Sequence, residues 1–216
     1  MRSKSPPTRQ SADASRLRFL DATDRVFIRE GYDGSTIRLI TAEAHTSLAR
    51  LNRHWTGKQH LFEEALARHF EPIHAAQAVR FDQVEQDGRA HDPGAVIEAF
   101  LSPALLGNIG QEEQRTSHLV YCRALTDPSP EISEIVGPLV QKTRARLIAM
   151  LREALPGLNE QMFFLAVATV LGAYVYPQIY GARLARAMGV DFQKIDWTSA
   201  GAMLATMLAE GLAGRS

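Results

Sequence analysis

Between Ser47 and Lys58, helical spacing would put Leu48, Leu51 and Trp55 on one inward face, Ala49, Arg50 and Arg53 on the outward face, and His54 at the side. The outward face carries hydrogen-bond donors and no acid. An arginine guanidinium can give two parallel hydrogen bonds to a guanine edge in a major groove, and a small alanine allows close approach or contact with a thymine methyl. Lys58, at the start of the following helix, adds a cation for a phosphate, helped by the partial positive charge of that helix end. The same pattern also fits a solvated basic face on a core helix, because most charged faces meet only water. Other chemistries have less to work with. The chain has no HExxH, GxSxG or phosphate-loop pattern, and His69 and His74 are five residues apart, so they do not share a helix face as an i, i+4 pair would. The single cysteine, Cys122, can form neither an internal disulfide nor a cysteine-rich zinc site. No catalytic residue, metal site or cofactor is expected, and the chain is not expected to be an enzyme.

Holding such a face takes short helices packed on longer ones. Phe19, Leu20, Thr23, Val26 and Phe27 recur at the spacing of one helix face, and Gly31 stands where a helix-ending glycine belongs. Ser35 or Thr36 can cap a short helix through Ile37, Ile40 and Ala44. After His45-Thr46, Ser47 can cap a second short helix. Two short helices with a turn of about three residues make a helix-turn-helix pattern. Thr56-Gly57-Lys58-Gln59 fits a capping box and opens a long helix through Leu61, Phe62, Leu66, Phe70 and Ile73. Further along, Asp87–Pro93, Asp127–Pro130 and Pro156-Gly157 read as breaks, with Pro103 and Pro138 as helix starts or kinks. With no convincing strand alternation between them, the fold class is all-α, with roughly nine helices.

The composition agrees. Lysine plus arginine and aspartate plus glutamate both total 24 in 216 residues, which excludes a polycation or an acidic tail, and a 45% hydrophobic share excludes a largely disordered chain. The balance hides an asymmetry: residues 1–55 hold ten basic against six acidic side chains, and residues 56–216 hold 14 against 18. The basic surplus is N-terminal. The longest apolar stretch, Met162 to Tyr176, is shorter than the ~20 residues of a spanning helix, so no membrane is expected as a partner, and the lone cysteine suits the cytoplasm.

From Phe19 to Leu66, and above all in ATDRVFIREGYDGSTIRLITAEAHTSLARLNRHWTGKQHLFEEAL, the chain resembles the N-terminal DNA-binding domain of the TetR family of transcriptional regulators. The features that carry the likeness are Phe27, the Gly31-Tyr32 pair, Thr36-Ile37, Ile40 with Ala42 and Ala44, Ser47, His54 before an aromatic, and Lys58 followed by Leu61. Three positions depart from the family pattern. His45 and Thr46 stand in the turn where the family has glycine and an apolar residue, and Arg53 replaces an aromatic that follows the asparagine in some members. Histidine is among the few residues enriched at positive φ, so the turn is still expected to form. The resemblance implies an N-terminal three-helix DNA-binding domain whose DNA-side residues are Thr36, Arg38, Ser47, Ala49, Arg50, Asn52, Arg53, His54 and Lys58. It also implies a C-terminal helical domain for ligand binding and dimerisation. Boundaries follow at a disordered tail over 1–12, a head over 13–58 and a body over 59–216.

In the body, a helix from about Asn159 to beyond Tyr176 shows two apolar faces. Phe163, Val167, Val170 and Tyr174 make one, and Phe164, Ala168, Leu171 and Val175 make the other. Such a helix must be buried twice. The last helix offers Trp197, Leu204 and Leu208 on one stripe beside Met203 and Met207, so a homodimer through Phe164, Ala168, Leu171, Val175, Leu204 and Leu208 is expected; a wholly internal helix is the alternative. Between Glu112 and Leu125, His118, Tyr121, Cys122 and Leu125 share a face. That face is either core, or, with Phe100 and Tyr174, the lining of a mostly apolar pocket for a small ligand. The reading is therefore a ligand-responsive repressor that binds a pseudo-palindromic double-stranded operator as a dimer. The departures at His45, Thr46 and Arg53 leave open a helical small-molecule-binding or enzymatic protein whose head has lost DNA binding.

Overall fold

The computed structural model describes residues 9–106 and 112–213, and every regular element among them is helical. The first helix, α1 (Arg9–Gly34), buries Phe19, Leu20, Thr23, Val26 and Phe27, as their spacing requires. It starts inside the segment expected to be a disordered tail; residues 1–8 of that segment lie outside the described residues. Gly31, at φ 70° and ψ −177°, breaks the helical geometry, so the continuous helix stops at the expected glycine and Tyr32 to Gly34 form a further turn. After it come α2 (Ile37–Glu43) and the single turn α3 (Leu48–Leu51). His45 between them adopts φ 50°, the only non-glycine residue at positive φ among those described.

Then follow α4 (Lys58–Gln86), α5 (Pro93–Leu105), α6 (Glu112–Thr126) and α7 (Pro130–Ala154). The three expected breaks fall between helices, whereas Pro103 and Pro138 both lie inside helices, as does Pro72 in α4. The apolar stretch after Asn159 is not the one continuous helix its pattern suggests. It divides into α8 (Glu160–Ala173) and α9 (Val175–Met188), which meet at a bend of 57°. Pro177 explains the break, because a proline ring clashes with the carbonyl four residues earlier and has no N–H to give it, and that residue is Ala173. A 3₁₀ turn (Phe192–Lys194) and α10 (Trp197–Ala213) complete the described chain, making ten α-helices where nine were expected. No single described helix is long and apolar enough to cross a membrane.

These helices form two compact units. One comprises the chain up to Arg68 together with Arg123–Val136, and the other comprises His69–Cys122 with Gly137–Ser216. The division does not fall at residue 58, and a stretch far along the sequence belongs with the N-terminal head. Helices α4, α6 and α7 each contribute residues to both units. In the head, Phe19 meets Trp55 edge-on at 5.7 Å, and Phe62 receives Phe27 and Tyr32 at 5.4 and 4.8 Å. In the body, α5 and α10 cross closely at Gly201, where a Cβ would run into Ser102.

Gly31 is needed for conformation and for space. A Cβ there would lie 2.6 Å from Arg123 Nη2 and 3.0 Å from Asp127 Oδ2, on a backbone that L-residues rarely adopt. Gly31→Ala should therefore lower the unfolding free energy by at least ~1 kcal/mol, read from urea midpoints. An unchanged midpoint would mean that neither strain nor the close approach matters.

Candidate functional site

Thr36 begins α2 with extended backbone geometry, and its Oγ1 accepts a hydrogen bond from the Leu39 N–H at 3.1 Å. Ser47 stands at the same position before α3 in the same geometry, but its hydroxyl makes no capping bond, contrary to the capping role its sequence position suggested. Leu51 and Trp55 are buried at 1% exposure each, while Leu48 is 53% exposed, so it does not share their inward face. With only one helical turn, α3 is too short to bring Leu48 under the core. Ala49, Arg50, Asn52 and Arg53 are exposed, and His54 is half-buried with its ring beside Trp55 and Phe19. Arg38 and Thr36 are also exposed. Among the described residues, neither Arg50 nor Arg53 is drawn into an ion pair, whereas Arg25 and Arg29 both engage Glu43. The indole N–H of Trp55 donates to Glu64 Oε2 at 2.9 Å, which fixes the residue backing this turn to α4.

Lys58 is turned inward. Its Nζ donates to the Tyr32 carbonyl at 2.6 Å and sits 3.8 Å from the centre of the Tyr32 ring. Burial lowers its pKa from the ordinary lysine value, with the acids Asp33, Glu131 and Asp127 opposing that shift. The expected phosphate contact would have to use the ammonium's remaining protons. The capping box is also altered, since His60 rather than Gln59 reaches back, its Nδ1 accepting from the Thr56 N–H at 3.3 Å.

In the body, the face proposed for a ligand is closed. Phe100, Tyr121, Cys122 and Tyr174 are buried, and the rings pack together and on Phe70, with Phe100–Tyr174, Tyr121–Tyr174 and Phe70–Tyr121 centroids at 5.8, 6.0 and 4.4 Å. Half-buried His118 places its Nε2 3.3 Å from the Pro103 carbonyl. Burial pushes the Cys122 thiol up to about 12, which keeps it protonated. A polar chain runs through the cluster. The Tyr174 and Tyr121 hydroxyls are hydrogen-bonded to each other, burial pushes Tyr121 up to about 12, and Tyr121 lies 3.2 Å from His74 Nε2. Burial holds His74 down at about 4, so its ring is neutral. Two open cavities lie elsewhere: one of about 250 Å³ between α8 and α10, which includes Met162, Leu165, Val170 and Leu208, and one of about 460 Å³ between α4 and α7, which includes His74, Phe81, Lys142 and Thr143. None of the five expected ligand residues lines either of them.

The apolar surface on α8, the start of α9 and α10 is extensive. Phe164 is 69% and Met207 68% exposed, Ala168, Leu165 and Met203 are exposed beside them, and Leu171, Val175, Leu204 and Leu208 are half-buried.

Residues 98–211 match the tetracyclin repressor-like C-terminal domain, and residues 19–65 match the bacterial regulatory proteins of the tetR family. The chain belongs to the TetR family. No curated protein sequence matches it. Among solved structures, a TetR-like transcriptional regulator from Rhodococcus sp. RHA1 is 24% identical at a TM-score of 0.62, with 97% of this chain and all of that one covered. The fatty acid degradation regulator FadR from Bacillus halodurans is 13% identical at 0.63, with 98% of each chain covered. These likenesses show the shared fold. As a TetR family member, the chain is a ligand-responsive, DNA-binding transcriptional regulator.

Within that family reading, the structure brings Thr36, Arg38, Ser47, Ala49, Arg50, Asn52 and Arg53 to exposed positions on α2, α3 and the turns around them. Sequence reasoning missed His74 as a member of the body's polar chain, having weighed it only as a metal ligand. It also missed Asp127, which accepts from the Tyr32 N–H at 3.2 Å. The spacing of His74 from Phe70 and Ile73 on α4 was a usable signal; Asp127 had none.

Replacing Arg50 or Arg53 by alanine should weaken operator binding while circular dichroism and the unfolding midpoint stay unchanged. An arginine that reads a base should cost ~1–3 kcal/mol and relax one base position, and one that holds a phosphate should lower the salt slope by about one. Unchanged affinity and slope in both variants would overturn the assignment.

Proposed function

We propose that this TetR family chain is a cytoplasmic repressor that binds a pseudo-palindromic operator as a homodimer, carries out no catalysis, and is released from DNA by a small, mostly apolar ligand held in its body. The observation that carries the reading is the uncovered set Ala49, Arg50, Asn52 and Arg53, presented on a turn that Leu51 and Trp55 anchor to the head. Exposed, unpaired arginines beside a small residue are what a major-groove reader needs. Ser47, whose hydroxyl is not spent on capping, and Thr36 are placed to take phosphates at the two helix starts.

The dimer reading is supported by the surface of α8 and α10. Two symmetric copies of an exposed face centred on Phe164, Ala168, Met203 and Met207 would cover each other as a four-helix contact. A two-fold dimer then offers two heads to two half-sites about one helical turn apart. Ligand binding releases the operator if it favours a body conformation in which that spacing no longer fits. The differential affinity this requires is ~1–3 kcal/mol, and it acts equally in both directions, so operator DNA weakens the ligand by the same factor.

Phe164→Arg and Leu204→Arg test the interface and its link to DNA together. Wild-type protein should scatter light as a dimer at micromolar concentration, and each variant should shift to monomer, because an arginine at either site would bury an unpaired charge. Operator affinity should fall in parallel as the second half-site contact is lost. A wild-type monomer, or a monomeric variant with full operator affinity, would refute the dimeric repressor.

A further inference from the structure

One buried acceptor in the body has nothing to accept. Gln77 on α4 has 0% exposure, and its Nε2 donates to the Phe100 carbonyl at 2.8 Å. That bond fixes the orientation of the amide, since the flipped form would set oxygen against oxygen. Among the described residues, Gln77 Oε1 is left buried without a hydrogen-bond partner. Groups left in this condition in a folded protein call for a missing donor.

The surroundings define that donor. Phe70, His74, Gln77 and Phe81 follow one another on one face of α4, and Phe100, Tyr121 and Tyr174 come to this cluster from α5, α6 and the end of α8. The nearby Tyr121 and Tyr174 hydroxyls are hydrogen-bonded to each other, Tyr121 lies 3.2 Å from His74 Nε2, and neither hydroxyl reaches Gln77 Oε1. We propose that this cluster is the effector site, and that its ligand is a compact aromatic molecule carrying one hydroxyl or N–H, which it donates to Gln77 Oε1. The proposal rests on the ligand-responsive reading above and gives its ligand a chemical class.

A carboxylate ligand would bring only acceptors to an acceptor. A cation would have to give up its hydration to enter the closed cluster. A neutral aromatic donor does neither, and its ring finds edge and face partners in the surrounding aromatics. Because the cluster is closed, the rings must part to admit it, so the filled and empty bodies differ in the helices that carry those rings.

Phenol and toluene, which differ in the one hydroxyl, provide the test. Full-length wild-type protein should bind phenol more tightly than toluene in calorimetric titrations, and Gln77→Leu should reduce that preference about tenfold or more. Should Gln77→Leu fail to fold, the assigned side-chain amide signal of Gln77 in wild-type NMR spectra serves instead: phenol should move it and toluene should not. Equal binding of phenol and toluene with an unmoved Gln77 signal would overturn the proposal and leave a ligand-binding body intact. Binding of neither would overturn the proposal and leave the family's ligand-responsive reading standing. A buried water on Oε1 that phenol does not displace would also overturn the proposal.

Discussion

The head depends on a buried carboxylate contributed from far along the chain. Asp127, with its side chain 3% exposed, accepts from the Tyr32 N–H through Oδ2 at 3.2 Å and from the Ser129 N–H through Oδ1 at 3.1 Å, with Arg123 3.7 Å away. The Tyr32 carbonyl is held in turn by Lys58. The turn that closes α1 is thus fixed through both polar groups of one peptide residue, and the absence of a side chain at Gly31 lets Arg123 and Asp127 approach. Loss of the carboxylate would strand two backbone donors, at ~1–3 kcal/mol for each one left buried and unpaired. This also explains why Lys58 faces inward: its ammonium completes the same turn.

Local rules were legible where the decisive partner lay within a few residues. Gly31 ends the first helix because the chain there needs positive φ, and His45 takes the family's glycine position at φ 50° because histidine tolerates that region. Helix periodicity likewise placed the core of α1 and the outward arginines. The failures have a common cause. Leu48 was assigned inward from spacing that assumes a full helix, and α3 makes only one turn. The apolar run through Tyr174 looked continuous because hydropathy does not register the missing N–H of Pro177. The Tyr32–Asp127 bond spans 95 positions, and no periodicity marks such a pair.

The body shows the same contrast. Helical spacing puts His118, Tyr121 and Cys122 on one face, but it does not distinguish a pocket wall from a packed core, and the structure buries Cys122 and packs Tyr121 and Phe100 against Tyr174. Burial also decides protonation there, leaving His74 neutral and both tyrosine hydroxyls intact as donors. Under the proposed effector site, a ligand that parts the aromatic cluster would act on α4 and α6, each of which has residues in both compact units. Such a change alters DNA affinity only to the extent that the ligand distinguishes the two body states.

The central claim, that the exposed turn after Ser47 reads DNA in a two-fold assembly, is tested most directly by selecting genomic fragments with the full-length protein and mapping the protected backbone at nucleotide resolution. The account predicts an inverted repeat whose two protected patches lie on one face of the duplex, about one helical turn or a multiple of it apart, with affinity falling steeply as salt rises. Recovery of no preferred sequence, or of a single unrepeated patch, would contradict it.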